Sequence, residues 1–360
     1  DLEYGGYWRT RAYTIDGFTG DSDDESLDLS KVDARGQLWT RHVLSETMSW
    51  YNRFEFNVGW GDEDNGGGIG TDGTDSLRIK NSYVDLQTSL GEQALDWRVG
   101  LQPYAVAKGM LFDDDFAGAI LSTVFGDVEL SLVWMKVYEG GTLSGDEEDL
   151  EDMDVDYVGL APKATLLDEA LTIKPFGFYL TSKDASESDA LELFEAVDLY
   201  YLGAEVGFKT DSLNTWFVGI YEGGTVSSIY ANVDDFDFSA YLVGLGAEFM
   251  ITDALGVHAE GFYASGDDYE DEEMTHFWVP TGQSYYWSEI MGLGVFDSYA
   301  SAGSPGDGLT NIMAYNLGLS VQATDDLKLA GDVWRAQHIE TGATVTDEVL
   351  GTEVDLRADV

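Results

Sequence analysis

Half of the basic residues, nine of 18, fall within the first 98 positions: Arg9, Arg11, Lys31, Arg35, Arg41, Arg53, Arg78, Lys80 and Arg98. Read with a period of two, each lies on the polar side of an alternating run. On neighbouring strands they would make a ladder of fixed positive charge. Such a wall attracts and orients small anions or zwitterions where a passage is narrow and its dielectric low. A second reading stays open, in which they pair across strands with Glu3, Asp33 and Glu55 as structural ladders. Opposing charge is offered by Asp113, Asp114 and Asp115, in a stretch (103–118) where Pro103 and Gly109 interrupt strand pairing. With Lys108, these acids mark a candidate constriction loop; the plainer alternative is an ordinary surface loop.

The remaining charge is overwhelmingly acidic. The chain carries 68 Asp and Glu against 18 Lys and Arg, a formal charge of −50. That sign excludes general binding to nucleic acid, which needs a basic footprint. It also argues against docking on anionic lipid through polybasic segments. Eight carboxylates crowd residues 146–156 and six crowd residues 267–273. Clustered oxygens suit Ca²⁺, so Asp146, Glu147, Asp149, Asp267, Asp268 and Asp271 are candidate ligands of a structural ion. No full EF-hand pattern occurs, GGIGTD at 67–72 is a single copy of a repeat that works stacked, and a solvated acidic surface is the simpler expectation. No other cofactor is expected. Cysteine is absent, which removes disulfides, thiolate metal sites and thiol nucleophiles. The four histidines, His42, His258, His276 and His338, are scattered, and no HExxH, GxSxG or P-loop pattern occurs. His258 shares a parity with Glu260, a pairing that is more often structural than catalytic. Enzymatic activity is not expected.

The elements that must hold these side chains are strands. The clearest is WYNRFEFNVGW, from Trp50 to Trp60. One side carries Trp50, Asn52, Phe54, Phe56, Val58 and Trp60; the other carries Tyr51, Arg53, Glu55, Asn57 and Gly59. Its length is roughly 33 Å, which a tilt of ~40–45° reduces to about 25 Å, the height of the apolar band of an outer-membrane barrel with an aromatic girdle at each rim. The same alternation recurs in 16 runs from Leu2 to Val360, joined by alternately short and long connections, the longest being 266–310. Only 5 prolines, with 42 glycines and 13% aromatic residues, suit long strands and tight turns. No apolar window approaches the length of a transmembrane helix. The fold expected is all-β: a transmembrane, antiparallel, up-and-down barrel of about 16 strands, one domain over residues 1–360, with an inward-folded constriction loop. The abrupt start at Asp1, already in a strand, fits an exported protein whose signal peptide has been removed.

On this hairpin rhythm, on VGLQPYAVAKGMLFDDDFAGAIL (99–121) and on LGTEVDLRADV (350–360), the whole chain resembles the general porins of the Gram-negative outer membrane. More narrowly, it resembles the major porins of sulfate-reducing and related deltaproteobacteria. The resemblance implies a homotrimer in outer-membrane lipid and one pore per barrel, with the third external loop folded inward. It also implies passive diffusion of small hydrophilic solutes and no bound cofactor. Such barrels usually end in an aromatic residue, whereas this chain ends in Val360; two further strands would make 18. Three rivals remain: a substrate-specific outer-membrane channel, a barrel sheathing an electron-transfer partner, and a soluble, secreted Ca²⁺-dependent β-protein.

Overall fold

The computed structural model describes the chain except for residues 17–28, 65, 71–72, 75, 141–152, 190, 230–234, 269–272, 293–307 and 342–347. It divides into two compact units, residues 1–103 with 115–121, and residues 104–114 with 122–360. Both are built from up-and-down antiparallel strands. The first contains β1 (Leu2–Ile15), β2 (Leu29–Ser45), β3 (Met48–Gly59), β4 (Arg78–Leu90) and most of β5 (Gln93–Val106), each paired with the next. Strand β6 (Phe112–Phe125) gives residues 115–121 to the first unit and its two ends to the second.

The second unit continues with β7 (Val128–Tyr138), β8 (Val155–Leu166), β9 (Leu171–Ser182), β10 (Phe194–Lys209), β11 (Leu213–Ser228), β12 (Phe236–Thr252) and β13 (Leu255–Ala264). After the dipeptide β14 (Glu273–Met274) come β15 (Ile312–Thr324), β16 (Leu327–His338) and β17 (Val349–Asp359). Neighbours in chain order pair antiparallel, except that β13 pairs with β15 and β14 lies parallel beside β12. All 16 alternating runs of the sequence are strands, and β14 is the addition. A short helical turn occupies Ala107–Gly109. The stretch 103–118 is not an extended loop: β5 runs to Val106 and β6 begins at Phe112, leaving a tight turn between them.

The period of two separates the faces of the second unit. One face leaves large apolar side chains in the open, among them Leu160, Leu202, Phe217, Leu245, Leu317 and Leu356. Tyrosines form a band toward the end with the long connections. Tyr200 and Tyr221 have ring centroids 6.1 Å apart, Tyr221 pairs in register with Tyr241, and Tyr241 stacks on Tyr263 at 5.6 Å. Toward the short turns, Phe208, Phe217 and Phe249 are exposed on the same face. Tyr200 to Phe208, or Tyr241 to Phe249, spans about 26 Å of strand, or roughly 20 Å along the normal at a ~40° tilt. Two aromatic bands bounding an aliphatic field of that height match a bilayer and not bulk water. On the opposite face the side chains are covered. Phe178, Leu180, Leu199, Tyr201, Ile220, Leu242 and Phe262 are buried there beside polar Glu222, Asn316 and Glu353. Full burial of Phe178 or Leu180 stabilises by about 1.5–3 kcal/mol each.

Candidate functional site

What covers that face is the connection between β13 and β15. Residues 277–292 have no ladder of their own and lie across the covered face of the second unit, and Phe277, Tyr285, Trp287 and Met291 are buried there. The reason is aromatic complementarity. Trp287 meets Phe262 of β13 at 5.3 Å and Trp334 of β16 at 5.1 Å, both steeply inclined. Tyr285 stands edge-on to Phe262 at 5.8 Å, and Trp278 lies against Phe194 and Phe238. Edge-to-face pairs of this kind add to the stability given by area alone. Burial pushes the Tyr285 phenol above its ordinary range, with the nearby Glu260 carboxylate adding to the effect. At the segment's start, burial pushes the His276 imidazole down, against the opposing pull of Asp267.

The backbone of the segment is held at discrete points. Trp278 N–H donates to Glu222 Oε2 at 2.8 Å; Ile290 and Met291 N–H donate to the two oxygens of Glu353 at 2.7 and 2.9 Å. In the middle, Gln283 Nε2 donates to the Met110 carbonyl at 2.7 Å and Gln283 Oε1 accepts Leu309 N–H at 3.0 Å. The β5–β6 turn docks on the same stretch, with Ser284 N–H on Gly109 O at 3.1 Å and Asp113 N–H on Gly282 O at 2.9 Å. That turn is sharp because Ala107, Lys108 and Gly109 all have positive φ (55°, 58° and 89°). Gly109 has a second constraint, since a Cβ there would stand 2.1 Å from the Ser284 carbonyl oxygen. Gly109→Ala is therefore expected to push the segment off the turn. Chymotrypsin cleavage near Tyr285 and Tyr286 in the detergent-folded protein should rise severalfold, and an unchanged rate would mean the turn does not support the segment.

Beside the segment lies a cavity of about 850 Å³. Six carboxylates line it, Glu248, Glu260, Glu289, Asp332, Asp355 and Asp359, against the cations Lys108, Lys328 and Arg357. Trp216, Trp287, Trp334 and Tyr286 supply aromatic wall. The Lys108 ammonium sits 4.9 Å from the Trp216 ring centroid, a cation–π distance. Arg357 is tied to Asp359 at 2.8 Å. His258 does not pair with Glu260: its Nε2 lies 2.5 Å from Asp332 Oδ1, which also accepts Asn316 Nδ2 at 2.9 Å. That bridge crosses β15 at Gly318, where a Cβ would meet His258 Nε2 at 2.1 Å, so a side chain at this position would break it.

In the first unit the basic ladder is interleaved with acids. Arg11 forks onto Asp33 at 3.0 and 2.7 Å. Arg35 donates to Asn57 at 2.7 Å and lies 3.8 Å from Glu55. Asp85 takes Arg98 at 2.7 Å and Arg41 at 4.0 Å. Arg53 Nε donates to the Tyr51 hydroxyl at 3.0 Å, and the Arg98 guanidinium lies 4.4 Å from the Tyr83 ring centroid. Lys80 meets Asp115 at 2.7 Å, and Asn81 Nδ2 donates to the same carboxylate at 2.6 Å. Asp115 thus sits on the ladder's own wall and does not face it across a gap. Arg9, Lys31 and Arg78 lie on β1, β2 and β4, and Asp113 and Asp114 are exposed at the start of β6.

Of the candidate Ca²⁺ ligands, Asp146, Glu147, Asp149 and Asp271 lie outside the described residues. Asp267 is buried; one of its oxygens accepts Thr275 N–H at 2.6 Å and lies 3.8 Å from His276 Nδ1. Among the described residues no group of three or more His, Asp or Glu side chains is placed to hold a metal.

An antiparallel up-and-down sheet with one apolar, aromatic-banded face and one covered, polar-and-aromatic face defines a class: the chain has the fold of the outer-membrane β-barrels. Solved structures of that class match over its whole length. OpdK, an outer-membrane protein of Pseudomonas aeruginosa, is 10% identical, with a TM-score of 0.59 over 99% of this chain and 87% of that one. OccK11 (OpdR) of the same organism is 11% identical, with a TM-score of 0.50 over 99% and 83%. Trimeric OmpT of Vibrio cholerae, at a TM-score of 0.45 and 11% identity over 100% and 95%, is more distant. No protein-family model matches the chain, and no curated protein does.

Proposed function

We propose that this protein is an outer-membrane channel that passes small hydrophilic solutes by diffusion, narrowed by residues 277–292. The observation that carries the reading is the arrangement of the second unit: an apolar, aromatic-banded open face behind a covered face that carries a backbone segment and a charged cavity. A wall that is greasy outside and polar inside is what a water-filled passage through lipid requires. The homotrimer and the narrower likeness to deltaproteobacterial porins belong to the same proposal. The constriction assigned to 103–118 in the sequence passes to 277–292, with Lys108 as its neighbour on the adjoining turn. The cavity lining also alters the expected preference. Six carboxylates against three cations favour small cations, whereas the basic ladder alone suggested small anions.

A substrate-selective channel is the second reading, favoured by the tryptophan-lined cavity beside the segment. Single-channel recording in a planar bilayer tests the first. Ohmic steps arriving in groups of three would support an open trimer, and saturable block by one solute would favour the selective channel. A folded, detergent-soluble sample that inserts but never conducts would overturn both.

A further inference from the structure

We infer that Glu353 and Glu222 are the positioning residues that clasp the two ends of segment 277–292, and that at Glu353 the carboxylate itself is indispensable. The inference rests on the segment being the constriction proposed above. Glu353, on β17, is 5% exposed. Its Oε1 accepts Ile290 N–H at 2.7 Å and its Oε2 accepts Met291 N–H at 2.9 Å. The next amide, Gly292 N–H, is taken by Ser288 Oγ at 2.7 Å. Three consecutive amides are thus satisfied by side chains. Only a carboxylate accepts at both terminal atoms without also presenting a donor. An amide at this position would turn an NH₂ group toward Ile290 or Met291 N–H and leave one buried donor unpaired.

Glu222, on β11, has the same task in different surroundings. It is fully buried; Oε2 accepts Trp278 N–H at 2.8 Å and Oε1 accepts the Tyr201 hydroxyl at 3.3 Å. The same hydroxyl lies 2.9 Å from Trp278 O. An amide keeps the segment's bond here and leaves unpaired only one of its own two N–H donors. Its oxygen keeps Trp278 N–H, its NH₂ donates to the Tyr201 oxygen, and the Tyr201 proton goes wholly to Trp278 O. The two ends of the segment therefore respond differently to the same substitution.

The test compares Glu353→Gln, Glu222→Gln and Glu222→Leu in otherwise intact protein. Each is first checked for the folded, unheated gel mobility of a barrel. Two readouts are taken: chymotrypsin cleavage around Tyr285–Trp287 in detergent, and single-channel conductance. Loss of a buried amide's partner shifts a local opening equilibrium by roughly tenfold or more. Glu353→Gln and Glu222→Leu are expected to raise cleavage by that order and to add a larger conductance level. Glu222→Gln is expected to stay within a few-fold of wild type, since Trp278 N–H keeps its acceptor and the N–H left without a partner belongs to the wall and not to the segment. Wild-type behaviour of Glu353→Gln, or equal effects of the two amide variants, overturns the inference. If wild type never conducts, the channel reading fails, and the cleavage pattern still decides the clasp.

Discussion

In a roughly tenfold KCl gradient the wild-type channel is expected to settle at a potential of cation sign, with a magnitude of about 20–30 mV. The ceiling follows from two constants: a tenfold ratio is about 1.4 kcal/mol, and a unit charge gains about 2.3 kcal/mol per 100 mV, so ideal selectivity gives about 60 mV. A water-filled passage reaches only part of that, because ions of both signs remain hydrated. The sign is set by the cavity, where Glu248, Glu260, Glu289, Asp332, Asp355 and Asp359 outnumber Lys108, Lys328 and Arg357. Arg357 pairs with Asp359 and Lys108 lies over Trp216, and neither contact alters the excess of three carboxylates. Changing Glu248, Glu260 and Glu289 together to Gln keeps shape and removes three negative charges. The potential should then fall below about 10 mV in magnitude, as expected when a charged ring loses its excess. Asp332 is left intact, because His258 and Asn316 depend on it. An anion-signed wild type would return control to the ladder of Arg11, Arg35 and Arg98 in the first unit.

Replacing residues 276–310 by a short Gly-Ser linker should raise unitary conductance roughly twofold or more, since conduction follows the narrowest cross-section. The wall should survive the change. Strands β13 and β15 are bonded directly, with Ala264 opposite Ile312, so a tight connection can close them. The loss falls on the faces that the segment covers. Phe262, Trp334 and Tyr201 would meet water, and a truncation as simple as Trp287→Ala removes a buried ring of a kind worth about 3–5 kcal/mol. The deletion should therefore conduct more and melt lower. A shortened protein with wild-type conductance would mean that the segment does not narrow the path.

The strands were legible because their signal is local. Tryptophans, arginines and glutamates alternate within a run such as Met48–Gly59, and no distant residue is needed to see the two faces. The partition of charge in the first unit was half legible. Parity put Arg11, Arg35 and Arg98 on one side, but whether they stood alone or paired depended on register, and register places Arg11 opposite Asp33 and Arg98 opposite Asp85. The shape of 103–118 was misread for a physical reason. Pro103 and Gly109 looked like breakers of a long loop, yet Pro103 lies within β5 and Gly109 serves a tight left-handed turn. A usable signal existed elsewhere. HFWVPTGQSYYWSEIM (276–291) is far richer in aromatics than an exposed connection of so acidic a protein needs. Its partners, Glu222 and Glu353, were invisible as partners, because nothing in a single sequence links residues more than fifty positions apart.

The clasp has a consequence in time as well as in space. Trp278 finds its acceptor on β11, which precedes it in the chain, whereas Ile290 and Met291 must wait for Glu353 on β17, the last strand described. The two contacts bridge similar separations, 56 positions against 62 and 63, so their order follows from which strand is in place and not from the length of the loop closed. The front of the segment can thus be seated before β17 is in place, and its rear is secured only when that strand arrives. Under the proposed constriction, the narrow state of the passage would be a mark of completed assembly.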